Sequence, residues 1–192
     1  MQYIVNTVKQ TRNAVNALIR KHLPFTHFSP LSLFLCGFVA LFSGCATQAT
    51  FEGMVPTSFQ TAKRHPQTVR VDVSGGQDTV PMGRPQITNA AFTRALTESI
   101  IKSRTFSKVI EVQSQKADYL LTVTLLNMDK RVFGLTVRIE AGWTLRRTDA
   151  GTAIWQEPII SEHTDADARL ATEGAARTNI AQGLRRISKL NF

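Results

Sequence analysis

One alternating stretch decides the fold: Phe133-Gly-Leu-Thr-Val-Arg-Ile-Glu-Ala-Gly-Trp-Thr-Leu145. Apolar side chains occupy its odd positions, and threonine, arginine and glutamate fill most of the positions between them. Because successive side chains of a β-strand point to opposite faces, this alternation predicts a long strand with one buried face and one solvated face. A sheet built from such strands needs another layer to cover its apolar face.

Two amphipathic helices are predicted to supply that layer. The first runs from Asn89, a plausible N-cap, to about residue 103, and the second covers roughly residues 166–190. The apolar stripe of the first helix contains Phe92, Ala95, Leu96, Ser99 and Ile100. The stripe of the second is expected to contain Leu170, Gly174, Ala181, Leu184 and Ile187.

Four further strands complete the expected sheet, at residues 68–74, 106–112, 119–128 and 152–160. Pro158 lies inside the last of them, which favours a sheet edge or a bulge because proline has no backbone N–H to donate. The order of elements predicts the α+β class. We expect a two-layer sandwich, with a mainly antiparallel sheet covered on one face by two helices.

The composition is that of an ordinary globular protein. The chain has 192 residues, of which 43% are apolar and 19% are charged, and these values exclude a wholly disordered chain and a polytopic membrane protein. Its two cysteines exclude a disulfide-stapled scaffold and a zinc site built mainly from thiolates.

The N-terminal region has the pattern of an export signal over residues 1–44. Four basic residues precede the uninterrupted apolar run 31–42, which is shorter than the roughly 20 residues that a membrane-spanning helix needs. The run ends in Leu41-Phe-Ser-Gly-Cys45, which resembles the lipobox of bacterial lipoproteins. The resemblance implies cleavage between Gly44 and Cys45, followed by acylation of the Cys45 thiol with chains such as palmitate.

Cleavage there would change the properties of the exported chain. It would remove four of the 23 basic residues and none of the 14 acidic ones, which lowers the net charge from +9 to +5. Several acyl chains make membrane attachment effectively permanent. By resemblance to enteric lipoproteins, Ala46 after the cysteine implies the outer membrane, with the domain facing the periplasm.

Residues 45–67 are rich in threonine, serine, glutamine and proline, which predicts a flexible tether. Residues 68–192 would then form a single periplasmic domain. Two short strings of this domain, Ala117-Asp-Tyr-Leu120 and Ala141-Gly-Trp-Thr-Leu145, together with the closing helix, resemble the auxiliary lipoproteins of ABC-type lipid transport systems and the lipopolysaccharide-assembly lipoprotein. The resemblance implies a shared fold and compartment. The anchor, the tether and the scarcity of catalytic groups favour a non-catalytic accessory subunit of an envelope assembly or transport complex, without a cofactor.

Basic residues on the solvated side of the long hairpin form the first candidate site. They could form one cationic strip that contacts an anionic lipid or an acidic partner, but we favour an ordinary solvated face because Glu140 and Asp129 reduce the positive charge. The candidates are Lys130, Arg131, Arg138, Arg146 and Arg147. Nucleic acid is not an expected partner of an exported protein.

The second candidate is the cluster around His163, with Asp165 and Asp167 close by in sequence. It could hold the site of a periplasmic envelope-modifying enzyme, or one aspartate could cap the last helix, and we favour the cap because it explains the same residues more simply. No nucleophile elbow, Walker A string or dinucleotide fingerprint occurs in the chain. The sequence therefore predicts neither an enzyme nor a metal site.

Overall fold

The computed structural model describes residues 48–79, 85–112, 114–131 and 135–192. All of them belong to one compact unit, Cys45–Phe192. The expected signal peptide, its cleavage site at Gly44 and Cys45, and Phe133 lie outside the described residues.

The described residues form three helices and five strands. In chain order these are α1 (Phe51–Met54), β1 (His65–Ser74), α2 (Asn89–Ser103), β2 (Phe106–Val109), β3 (Tyr119–Arg131), β4 (Thr136–Arg147), β5 (Ala153–Thr164) and α3 (Ala168–Ile187). None of the described helices combines the length and the apolar composition needed to cross a bilayer.

The five strands form one sheet in the order β2-β1-β3-β4-β5. The α+β class and the helix-covered sheet are confirmed. Of the four strand pairs in the described sheet, β1–β2 and β1–β3 are parallel and the other two are antiparallel, so the sheet is mixed. The parallel pairing of β1 and β2 follows from the helix α2 between them, because a crossover returns the chain in its original direction.

Strand β4 carries the core as its alternation predicts. Its buried side chains are Val137, Ile139, Ala141, Trp143 and Leu145, each at most 2% exposed. Leu135 continues the sequence pattern but not the strand, since its φ is 42° and its side chain is 40% exposed. The alternation therefore becomes a strand only from Thr136.

Helix α2 buries the stripe that its sequence predicts, but Asn89 is not its N-cap. Thr88 has an extended backbone, and its hydroxyl accepts a hydrogen bond from the Ala91 amide at 3.1 Å. The side chain of Asn89 instead accepts a hydrogen bond from the Gly76 amide at 2.7 Å. The expected cap therefore fastens the loop after β1 to the start of the helix.

Helix α3 buries three of the five residues expected in its stripe, Gly174, Leu184 and Ile187. Leu170 is 38% exposed and Ala181 is half-buried, whereas small residues fill most of the buried face. The close approach is tightest at Gly183, where an added Cβ would lie 2.6 Å from the indole ring of Trp143. The small side chains of Ala171, Gly174 and Ala175 predict that this helix can approach a sheet closely, and all three are buried.

The segment expected to be a tether is part of the folded domain from residue 49 onward. Ala49 is 3% exposed and Met54 is fully buried, and α1 packs against α3. Strand β1 begins at His65, which the tether was expected to include. Threonine and proline are as common in irregular packed segments as in linkers, because both favour caps and turns.

The strand ends also differ from the sequence prediction. Strand β2 stops at Val109, and Val112 is 53% exposed. Strand β5 extends to Thr164 and forms an edge of the sheet, as Pro158 predicts.

Candidate functional site

The candidate cationic strip is divided between the two ends of β4. Arg138 and Arg146 lie on the same face of this strand but eight residues apart, which corresponds to roughly 26 Å. Arg138 also forms an ion pair with Glu162 on β5, with 3.0 Å between nitrogen and oxygen. A continuous strip of free positive charge is therefore not present on this strand.

Arg147 lies beside the turn that leads to β5, and its guanidinium forms an ion pair with Asp149 at 2.6 Å. The hydrogen bond from Arg147 lowers the pKa of Asp149 below its usual value. Lys130 and Arg131 lie at the opposite end of the hairpin, where the register pairs them with Val137 and Thr136. The structure thus separates the five predicted residues into two groups.

The acidic residues near His163 start a helix. Asp167 is the N-cap of α3, and its carboxylate accepts hydrogen bonds from the amides of Arg169 at 2.7 Å and Leu170 at 3.0 Å. These bonds lower the pKa of Asp167. Asp165 in turn accepts a hydrogen bond from the Asp167 amide at 3.0 Å. The capping role favoured from the sequence is confirmed for Asp167.

His163 packs against the backbone of α3. A Cβ added to Gly174 would lie 2.1 Å from Cδ2 of the His163 ring, so this ring occupies the space that any larger residue at position 174 would need. Among the described residues, no group of three or more histidine, cysteine, aspartate or glutamate side chains is arranged to hold a metal ion. Helix packing is the role that the geometry supports for His163.

A buried polar network fastens α3 to the sheet. Nε1 of Trp143 donates to Oδ1 of Asn179 at 3.0 Å, and Nδ2 of Asn179 donates to the carbonyl of Ile159 at 2.9 Å. The hydroxyl of Ser161 donates to the carbonyl of Ala175 at 2.9 Å. Because a polar group left without a partner in the interior is costly, this network fixes the position of the helix on β4 and β5.

A buried carboxylate holds the start of the described chain. Glu173 on α3 is 2% exposed, and its Oε1 accepts hydrogen bonds from the amide of Thr50 at 2.9 Å and from its hydroxyl at 3.0 Å. The guanidinium of Arg169 pairs with the same oxygen at 2.9 Å. Arg177 adds a hydrogen bond to the carbonyl of Gly53 at 2.9 Å. We call these contacts of Glu173 with Thr50 the N-terminal clamp.

One feature of the sequence points to this clamp. Glu173 is a charged residue in a helix stripe otherwise made of small side chains such as Ala171, Ala175 and Ala176. Charged residues are almost never fully buried without a partner, so a carboxylate on this face requires a nearby hydrogen-bond donor or positive charge. The partner Thr50 lies 123 residues away in sequence and could not be identified from it.

His65 closes the opposite end of the domain. Its side chain is 1% exposed, its Nε2 lies 3.1 Å from the carbonyl oxygen of Ile187, and its ring stacks on Phe192 with 4.2 Å between centroids. Within the described residues, its Nδ1 has no hydrogen-bond partner. Burial lowers the pKa of His65, an effect that the hydrogen bond to Ile187 partly opposes.

A groove of about 780 Å³ lies along the outer edge of β1. Strand β2 ends at Val109, opposite Val69, so from Val71 onward no described strand pairs with this edge. Helix α2 forms the other wall, and the lining includes Asp72 and Arg94. An open strand edge in a groove can accept an extended peptide as an additional strand.

Comparison with known proteins identifies similar folds. No model of a protein family matches the chain, and no curated protein matches it. Among solved structures it is similar to the hypothetical protein CT253 from Chlamydia trachomatis, with 9% identity over 64% of this chain and 96% of that chain and a TM-score of 0.53.

It is also similar to protein XCC0632 from Xanthomonas campestris, described as DUF330, with 12% identity over 69% of this chain and 90% of that one and a TM-score of 0.50. Lipoprotein GNA1162 from Neisseria meningitidis matches at 12% identity over 63% of this chain and 99% of that one, with a TM-score of 0.31. At these identities the likeness to CT253 and XCC0632 shows a shared fold.

Proposed function

We propose that this chain is a lipid-anchored, non-catalytic lipoprotein that serves as an accessory subunit of an envelope assembly or transport complex. It would be attached to the outer membrane through acyl chains on Cys45 and would face the periplasm. The observation that carries the proposal is that the start of the compact unit coincides with the residue predicted to be acylated. The compact unit that contains every described residue begins at Cys45, the residue that the lipobox pattern designates for acylation.

The surfaces of the domain support a role in protein contact. The part of β1 beyond its last pair with β2, at Val69, lines a groove of about 780 Å³ whose other wall is α2. A partner strand there would gain backbone hydrogen bonds from the edge and side-chain contacts from α2. The groups around His163 support the accessory role too, since helix capping and packing account for their geometry.

Lipid attachment is tested by labelling the full chain with an alkyne analogue of palmitate in a Gram-negative host. We expect the native chain to incorporate the label and to sediment with the outer membrane, and Cys45→Ser to do neither. Cys36→Ser is the matched control, because Cys36 lies in the predicted signal peptide and should leave labelling unchanged. Label on the Cys45→Ser chain, or an intact N-terminus upstream of Cys45 in the mature protein, would contradict the proposal.

The partner is tested by placing a photocrosslinking residue at Asp72, in the groove, and at Ala150, in the turn after β4. We expect irradiation of living cells to join one envelope protein to position 72 and not to position 150. Position 150 is the control, because Ala150 is exposed and does not line the groove. The same products from both positions would count against a specific accessory role.

A further inference from the structure

The topology gathers several chain segments at one end of the domain. The β3–β4 hairpin turns after Arg131, and its first residue in β4, Thr136, pairs with Thr164 at the end of β5. Helix α3 begins at Ala168, four residues after β5 ends, and the N-terminal clamp holds Thr50 near the start of that helix. We call this the anchor end, consisting of residues 49–54, 130, 131, 135, 136 and 164–170.

The clamp limits how far this end can stand from residue 45. Thr50 is five residues after Cys45, and five fully extended residues span at most roughly 18 Å. Strand β3 has 13 residues and is therefore about 43 Å long. The permitted distance is thus less than half the length of the sheet, so an acyl group on Cys45 selects which end of the domain lies next to the bilayer.

The anchor end exposes apolar side chains suited to a lipid surface. Leu135 at the hairpin is 40% exposed and Leu170 on α3 is 38% exposed. Large apolar side chains with this exposure favour the boundary between headgroups and acyl chains, where they leave water. Arg169 at the same end pairs with the buried Glu173. Large apolar side chains outside this end are still more exposed, namely Ile101, Val112, Leu126 and Ile160. The short segment after Cys45, rather than apolar exposure alone, therefore selects this end.

We propose that the anchor end is a lipid-contacting surface, which the N-terminal clamp and the short chain segment before it hold against a phospholipid bilayer. This inference rests on the proposed attachment of lipid to Cys45. A domain on a long flexible tether would rotate freely relative to the membrane, whereas this domain would contact the bilayer in one defined orientation. The groove along β1 would then have a fixed direction relative to the bilayer.

Fluorescence quenching measures this orientation in the full, processed protein. Single-cysteine variants carry an environment-sensitive fluorophore either at the anchor end, as Leu135→Cys or Leu170→Cys, or at the far end, as Ala150→Cys or Lys189→Cys. The protein is placed in vesicles of phosphatidylethanolamine and phosphatidylglycerol whose headgroups carry a nitroxide quencher. We expect quenching several-fold stronger at the two anchor-end positions. Equal quenching at the four positions would overturn the inference.

A spacer variant tests the role of the short segment. A glycine–serine insertion of about 20 residues after Gln48 adds a mean reach of about 25 Å without altering any described contact. We expect the quenching ratio between the two ends to fall toward one, and an unchanged ratio would contradict the role assigned to the clamp. Flotation of the unlabelled chain with the same vesicles reports lipid attachment separately. A chain that fails to float refutes the proposed function, whereas a chain that floats without the quenching difference refutes the present inference alone.

Discussion

The indole nitrogen of Trp143 donates a hydrogen bond to the side-chain oxygen of Asn179 across 3.0 Å, and both residues are fully buried. This bond joins strand β4 to the covering helix α3. Asn179 uses its amide nitrogen in the same way toward the carbonyl of Ile159 on β5. One side chain therefore connects three elements of the core.

Asn179→Ala should lower the free energy of unfolding by about 1–3 kcal/mol for each buried group that it leaves without a partner. The groups concerned are Nε1 of Trp143 and the carbonyl of Ile159. Urea unfolding followed by tryptophan fluorescence measures the change. Asn191→Ala is the control, since Asn191 is exposed and its side-chain oxygen accepts a hydrogen bond from the exposed Lys63. Equal midpoints for the two variants would refute a structural role for the network.

Glu173→Ala should release the segment that the N-terminal clamp holds. The substitution removes the acceptor of both Thr50 hydrogen bonds and the partner of Arg169, and loss of hydrogen bonds to a charged group costs about 1.5–3 kcal/mol. Hydrogen exchange at the amides of residues 50–54 should accelerate more than exchange in β4. Glu98→Ala removes an exposed ion pair with Lys102 and should leave these amides protected. Unchanged exchange in the Glu173→Ala protein would show that the clamp does not hold the segment.

Protonation of His65 should destabilise the domain. Its pKa is lowered in the folded state mainly by burial, so the folded protein binds this proton more weakly than the unfolded chain does. The stabilisation is complete above the unfolded pKa of about 6.5 and is lost as the pH falls below that value toward the lowered folded pKa. The lowered pKa values of Asp118 and Asp167 make their contributions disappear only in more acidic solution.

Urea unfolding between pH 7.5 and pH 5 tests this expectation, which follows from an unfolded histidine pKa of about 6.5. The unfolding free energy of the native protein should fall across this interval, and that of His65→Gln should change much less. His163→Gln, which keeps His65, should retain the slope. A slope that survives in the His65→Gln protein would assign the pH dependence to other groups.

Gly174→Ala should have opposite effects in two backgrounds. In the native protein the added methyl group meets the ring of His163, and overpacking of this kind costs about 1–3 kcal/mol. In a His163→Ala protein the same change should stabilise α3 by up to about 1 kcal/mol, because alanine is the better helix former. The double-mutant cycle reports the coupling between the two positions. An additive result would mean that the ring does not occupy this space.

The two functional hypotheses differ in what His163→Ala does in cells. If His163 packs against α3, a strain that carries only this variant should keep the envelope integrity of the native strain, measured as growth in detergent. If His163 belongs to a catalytic site, the variant should behave like a deletion while the protein remains folded and abundant. The second outcome would favour the enzyme hypothesis.

Large apolar residues made parts of the fold predictable from the sequence. The alternation in β4 and the stripe of Phe92, Leu96 and Ile100 in α2 correspond to buried side chains because each of them removes a large area from water. Helix α3 was predictable only in part: its small residues, such as Ala175, indicated a close approach to a sheet, but Leu170 and Ala181, expected in the buried stripe, are not buried. The burial of its face depends on close approach, which no hydropathy pattern records.

Long-range pairing set the limit of prediction. The parallel register of Val69 with Tyr119, and the contact of Thr50 with Glu173, join segments that are far apart in sequence and share no local signal. Of the predicted cations only Arg138 lay within a predicted strand, because β3 and β4 each extend beyond the predicted bounds, to Arg131 and Arg147. The distribution of the cations over the two ends of β4 depends on this strand length and on neighbouring carboxylates such as Glu162. Local sequence patterns identify the buried and solvated faces of each strand and helix, whereas the sheet topology determines which residues from distant segments are in contact.

The 123-residue separation of Thr50 and Glu173 also determines when folding can finish. A chain that is synthesised from its N-terminus presents Thr50 long before Glu173, so the first described segment to be made is among the last to dock. The same order holds for His65, whose acceptor carbonyl at Ile187 comes 122 residues later. Native packing of both segments must therefore wait until the last helix has been synthesised.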